Sequence, residues 1–155
     1  HRAQTFEQGA LARAGGADQP DHLARRHRHI DALQRIDWSG IVPFEVREIN
    51  ITSQGFRIHF TKPVDPATAA NPESYRVTTY THIYHAGYGS PEVDHTTPPI
   101  TRATPSPDGL SVQLDLESLT PDHIHDFDLS QITSRDGQPL LHPKAYYTVN
   151  EIPIQ

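Results

Sequence analysis

"GFRIHF" (residues 55–60) and "LSVQLDL" (residues 110–116) decide the fold. In the first, Phe56, Ile58 and Phe60 alternate with Arg57 and His59. In the second, Leu110, Val112, Leu114 and Leu116 alternate with Ser111, Gln113 and Asp115. A period of two puts each apolar set on one side of an extended chain. Half-apolar ribbons bury that side only against a second layer. The two stretches therefore predict two pleated layers that bury the Phe56/Ile58/Phe60 and Leu110/Val112/Leu114 sides against each other.

The neighbouring sequence extends this pattern. "FEVREINI" (44–51) sets Phe44, Val46 and Glu48 against Glu45, Arg47 and Ile49, and "TSQG" joins it to Phe56 as a hairpin turn. "TKPVDPATAANPESY" is a connection, in which Asp65-Pro66 opens a helical turn and Asn71-Pro72 stops it. "SYRVTTYTHIY" (74–84) is a long strand, and "PITRATPS" (99–106) a short one. "PDG" (107–109) and "RDG" (135–137) are turns, "HIHDFDL" (123–129) is a strand, and "AYYTVN" (145–150) is the last. About seven short strands separated by turn signals predict an all-β chain, an Ig-like antiparallel β-sandwich over residues 41–155. Residues 1–40 read as an arm carrying a helix. Asp18 can cap it, Pro20 suits its first turn, and Leu23, Ile30 and Leu33 form a narrow apolar stripe beside Arg25, Arg26, Arg28 and Arg35.

Composition narrows the function classes. The chain has 155 residues, a hydrophobic content of 35%, 14 prolines and a net charge of −6. Residues 1–40 hold six arginines against five acids, whereas the remainder holds seven cations against fourteen acids. An acidic body argues against nucleic acid, which needs clustered cations. The absence of cysteine excludes disulfides, thiolate metal sites, attached haem and a cysteine nucleophile. No apolar run is long enough to span a membrane. With no methionine even at position 1, the expected origin is a processed protein or part of a longer one, secreted or periplasmic. No G-x-S-x-G elbow or phosphate loop occurs, so no catalytic residue is assigned.

Two groups of residues could carry function. The stretch "YHAGYGSPEVDH" (84–95) interrupts the strand pattern with two tyrosines, two glycines and flanking acids. It reads as a shaped loop whose Tyr84, His85, Tyr88, Glu92 and Asp94 contact a carbohydrate or a protein partner, the rings stacking and the carboxylates accepting hydrogen bonds. The same composition also suits a purely structural loop. Histidine is the second signal, at 11 residues. His123 and His125 share a strand face, and His82 and His85 flank the loop, so all four are candidate metal ligands. His1 is a fifth. As a free terminus its amine and imidazole could chelate copper with an internal histidine, the arrangement of a histidine brace with oxidative chemistry on polysaccharide. No cofactor is otherwise expected.

Two resemblances bear on these readings. "GFRIHFTKPVDPATAANPESYRV", "ITRATPSPDGLSVQLDLESLTPDHIHDFDL" and "DGQPL" are similar to bacterial Ig-like domains of the S-layer/Big type. "WSGIVPFEV", "FTKPVD", "YHAGYGSPEVD" and "AYYTVNEIP" together resemble a C-terminal module of large secreted bacterial proteins. Those proteins carry a pyrroloquinoline-quinone-dependent sugar (glucose/sorbosone-type) dehydrogenase and cytochrome c segments. The resemblance implies a non-catalytic accessory domain that packs on a neighbouring catalytic domain or holds carbohydrate or a protein partner.

Overall fold

The computed structural model describes residues 39–154. The expected arm and helix before residue 39, and the proposed copper ligand His1, lie outside the described residues. Within them are eight strands: β1 (Val46–Thr52), β2 (Gly55–Phe60), β3 (Arg76–His82), β4 (Glu92–Thr96), β5 (Ile100–Pro105), β6 (Ser111–Leu116), β7 (His123–Asp128) and β8 (Lys144–Val149). A single helical turn, α1 (Pro66–Ala69), precedes a short 3-10 turn at Pro72–Ser74. Asp65 and Asn71 cap these turns through their side chains, and proline opens each. The first turn is where the sequence predicts it, whereas Asn71-Pro72, expected only to stop it, opens the second. The Tyr75 hydroxyl donates to the Ala69 carbonyl at 2.7 Å and ties the connection down.

The strands form two antiparallel four-stranded sheets, ordered β1-β2-β6-β5 and β4-β3-β7-β8. The chain is thus a β-sandwich with one strand more than the sequence predicts. Phe56 of β2 crosses the interlayer space. Its ring centroid lies 5.0 Å from Phe127 of β7 and 5.4 Å from Tyr147 of β8, both in edge-to-face geometry. Such pairs favour the positive ring edge against the negative face. Phe56, Ile58, Phe60, Val112 and Leu114 are buried as expected, but β2 and β6 are hydrogen-bonded neighbours. The two apolar sides therefore share the inner face of one sheet instead of facing each other, and the opposing layer is supplied by Val77, Phe127 and Tyr147. Leu110 is not buried: it precedes β6 and is 37% exposed, and Leu116 at the other end of that strand joins the core instead.

Three edge strands carry an extra residue. In β1, Val46 pairs with Phe60 but Glu48 already pairs with His59, so the register shifts at Arg47. Glu48 therefore turns outward, contrary to its expected place beside Phe44 and Val46, and Ile49 and Ile51 pack against the core. A comparable shift lies in β5 between Ile100 and Arg102. In β4, three steps from Val93 to Thr96 match two from Thr81 to Thr79 on β3. Bulges of this kind twist an edge away from further pairing.

Gly55 marks the tightest approach between β2 and β6. An added Cβ would lie 1.9 Å from the Leu114 carbonyl oxygen. That neighbour is backbone inside the sheet and cannot swing aside. Gly55→Ala should therefore lower the thermal midpoint more than Ala substitution at Gln54 in the adjacent turn, measured by circular dichroism on both variants.

Candidate functional site

The expected 84–95 loop divides in the structure. Residues 83–91 form an exposed connection, but Glu92, Asp94 and His95 lie on β4. Alternation breaks at the bulge, which hides the strand from a period-two reading. Asp94 adopts a positive φ of 57°, a conformation aspartate tolerates better than most side chains. The extra residue has a directional effect. Thr96 turns inward, its hydroxyl 2.6 Å from that of Thr79, while His95 turns outward onto the Tyr80 ring.

An aromatic stripe results on the outer face of the β4-β3-β7-β8 sheet. The Tyr80 and His95 ring centroids are 5.4 Å apart and nearly parallel, at 27°. His82 meets Tyr80 from the other side, 5.5 Å away and edge-on at 86°. Its Nδ1 lies 3.2 Å from the Ser90 carbonyl, which fixes the stripe to the loop. The Ile83 amide donates to the Pro91 carbonyl at 3.3 Å and closes the loop base. Beyond it Tyr84 and Tyr88 are fully exposed. His85 Nδ1 accepts from the Gly87 amide at 3.0 Å, and an added Cβ on Gly87 would crowd that imidazole at 3.0 Å. Gly89 takes a φ of +80°, which glycine adopts without strain.

Carboxylates border the stripe. Glu92 is the cross-strand partner of His82, and its Oε2 lies 3.6 Å from His95 Nε2. Asp126 pairs with Thr78 on one side and Tyr146 on the other. Burial, then the charges of Glu92 and Asp126 with Tyr146, push the Tyr80 phenol above its ordinary pKa. Asp126 and Asp128 both lie within ion-pair distance of Lys144, at 3.9 and 3.3 Å.

Among the described residues the structure does not bring the candidate metal ligands His82, His85, His123 and His125 together. Among the described residues no group of three or more His, Asp or Glu side chains is placed to hold a metal. His125 departs furthest from its expected role. In and just after β7, His125, Phe127 and Leu129 point inward. His125 is fully buried, 5.1 Å from the Phe56 ring, and Nε2 has no hydrogen-bond partner. Its strand neighbour His123 instead approaches the Pro121 carbonyl at 2.9 Å. The other described histidines are dispersed: His59 beside Glu48, His95 beside Glu92, and His142 with Nδ1 2.6 Å from Glu45. His82 and His85 are engaged within the β3–β4 loop. The described histidines therefore spread over separate local contacts.

No family model matches the chain, and no curated protein matches it. Among solved structures, the fold is similar to domains 1–6 of the surface layer protein SbsC, with a TM-score of 0.54 and 23% identity. That match covers 73% of this chain and 14% of the other. The N-terminal part of the bacterial S-layer protein SbsC aligns at the same TM-score of 0.54 with 22% identity, covering 70% of this chain and 24% of that one. The chain thus spans a small fraction of the structures it matches. The likeness confirms the sandwich fold.

His125 makes the sandwich acid-sensitive. Burial holds its pKa below the ordinary histidine value; the His123 carbonyl opposes this and the His123 charge adds to it. Folding therefore favours the neutral ring. Its contribution is full above the unfolded pKa of about 6.5 and shrinks as pH falls from there to the depressed folded value. His125→Leu should flatten the acid limb of urea-unfolding stability by up to about one proton. An unchanged slope would place the acid sensitivity elsewhere.

Proposed function

We propose that this sandwich is a non-catalytic interaction module of a larger extracellular bacterial protein, and that it meets its partner through the 83–91 loop and the adjoining outer sheet face. One observation carries the reading: Tyr84 and Tyr88 stand fully exposed on a loop anchored at its base to a rigid sheet. A rigid scaffold with variable loops suits recognition. Exposed tyrosine gives large contact area at low entropic cost. Bulges on β1, β4 and β5 blunt those edges, which favours contact by face and loop over strand addition.

The S-layer neighbours support an extracellular setting, since a surface-layer protein is a cell-surface protein. The narrower resemblance to the terminal module of quinone-dependent sugar dehydrogenases proposes a neighbouring catalytic domain in the same protein, with this module as its accessory. The proposal assigns the module no cofactor of its own. No described helix is long and apolar enough to cross a membrane.

Tyrosine footprinting tests the contact. The full gene product on its producing cells and the 155-residue chain alone would be oxidatively labelled in parallel. Tyr84 and Tyr88 should be protected several-fold in the cell-borne protein, while the exposed Tyr146 across the same face serves as a graded reference. Equal labelling of both tip tyrosines in the two samples contradicts the reading.

A further inference from the structure

The chemistry around Tyr80 points beyond contact in general to a class of ligand; this rests on the interaction surface proposed above. From loop to sheet, Tyr88 and Tyr84 lead to His82, Tyr80 and His95, with Tyr146 across the strands. Around Tyr80 the rings pack on one another, with centroid distances of 5.4 Å to His95 and 5.5 Å to His82. We propose that this stripe binds an uncharged glycan chain, with the exposed rings stacking on sugar C–H faces and Glu92 and Asp126 accepting from sugar hydroxyls.

Three features favour that occupant. The first is the bulge at Asp94–His95. An unbulged β4 would aim His95 into the sandwich; the extra residue lays it against Tyr80 on the open side. Bulges commonly re-aim a side chain where a strand edge meets a site. The second is the pairing of bare rings with acceptor-only side chains. Sugars present apolar C–H patches and hydroxyl donors together, and this face offers the complement to both. The third is charge. On this outer face the carboxylates Glu92, Asp126 and Asp128 outnumber the cations Arg76 and Lys144, and Lys144 is already shared between Asp126 and Asp128. A face with that balance repels uronate or sialylated chains and leaves neutral ones unopposed.

A glycan array carrying neutral, amino-sugar and uronate oligosaccharides, probed with the 155-residue chain, tests the proposal. Retention should concentrate on neutral glycans. Tyr88→Ala and His95→Ala should each weaken it by about tenfold or more, the equivalent of losing one good stacking contact. Both side chains are exposed, so the variants keep the core intact, and circular dichroism verifies that each is folded. No retention of any glycan, preference for uronate or amino-sugar chains, or retention unaltered in both variants would overturn it. Tip protection on cells combined with an array that binds nothing would sink the glycan and leave a protein or neighbouring domain as the partner. Absence of protection would instead sink the contact itself.

Discussion

The Phe56 ring holds the two layers to one another. It reaches from β2 across the core to Phe127, Tyr147 and His125 on the opposite sheet. Sheets of four short strands bury little by themselves, so stability depends on what fills the space between them. One aromatic side chain touching three others fixes their spacing and relative rotation. Register follows from it. A one-step slip of β7 would exchange His125 and Phe127 for Asp126 and Asp128 at that contact and bury two carboxylates.

The same constraint explains a buried histidine with an unpaired nitrogen. At the His125 position the core needs a flat ring against Phe56, and imidazole supplies the shape. The cost is an unsatisfied acceptor or donor at Nε2, tolerable only while the ring is neutral. A residue that looks like a metal ligand on sequence is thus a packing element with pH dependence attached. On the other side of the same sheet, Tyr80, His82 and His95 use equivalent ring chemistry in the open, where it is available to a ligand.

How much of this was legible in the sequence varied with the regularity of each strand. Phe56, Ile58, Phe60, Val112 and Leu114 declare a buried sheet face by unbroken alternation, and all five are buried. Alternation alone does not tell that β2 and β6 are neighbours in one layer and not opposed across the core. The Asp65-Pro66 signal located α1, while Asn71-Pro72 read as a stop and not as the opening of the 3-10 turn. Where an extra residue enters, period two fails. Glu48 was assigned inward because the register shift at Arg47 has no signature in residue type. β4 is hidden in the sequence because Asp94 breaks its alternation, so Glu92, Asp94 and His95 read as loop. Tyr84 and Tyr88 were legible as exposed candidates from their glycine-rich setting. The stripe was not, since Tyr80 and His95 are 15 positions apart and meet only through the bulge. For β7, His125-Phe127-Leu129 and Ile124 competed for the inner face. Only the opposite sheet chooses between them.

The most direct test of the account is an NMR measurement of through-space contacts between aromatic protons. Strong cross-peaks are predicted from the Phe56 ring to those of Phe127 and Tyr147, with His125 ring protons also close to Phe56. A spectrum in which Phe56 contacts only residues of its own sheet, or in which His125 shows water-exposed ring chemistry, would contradict the two-layer core from which every other conclusion follows.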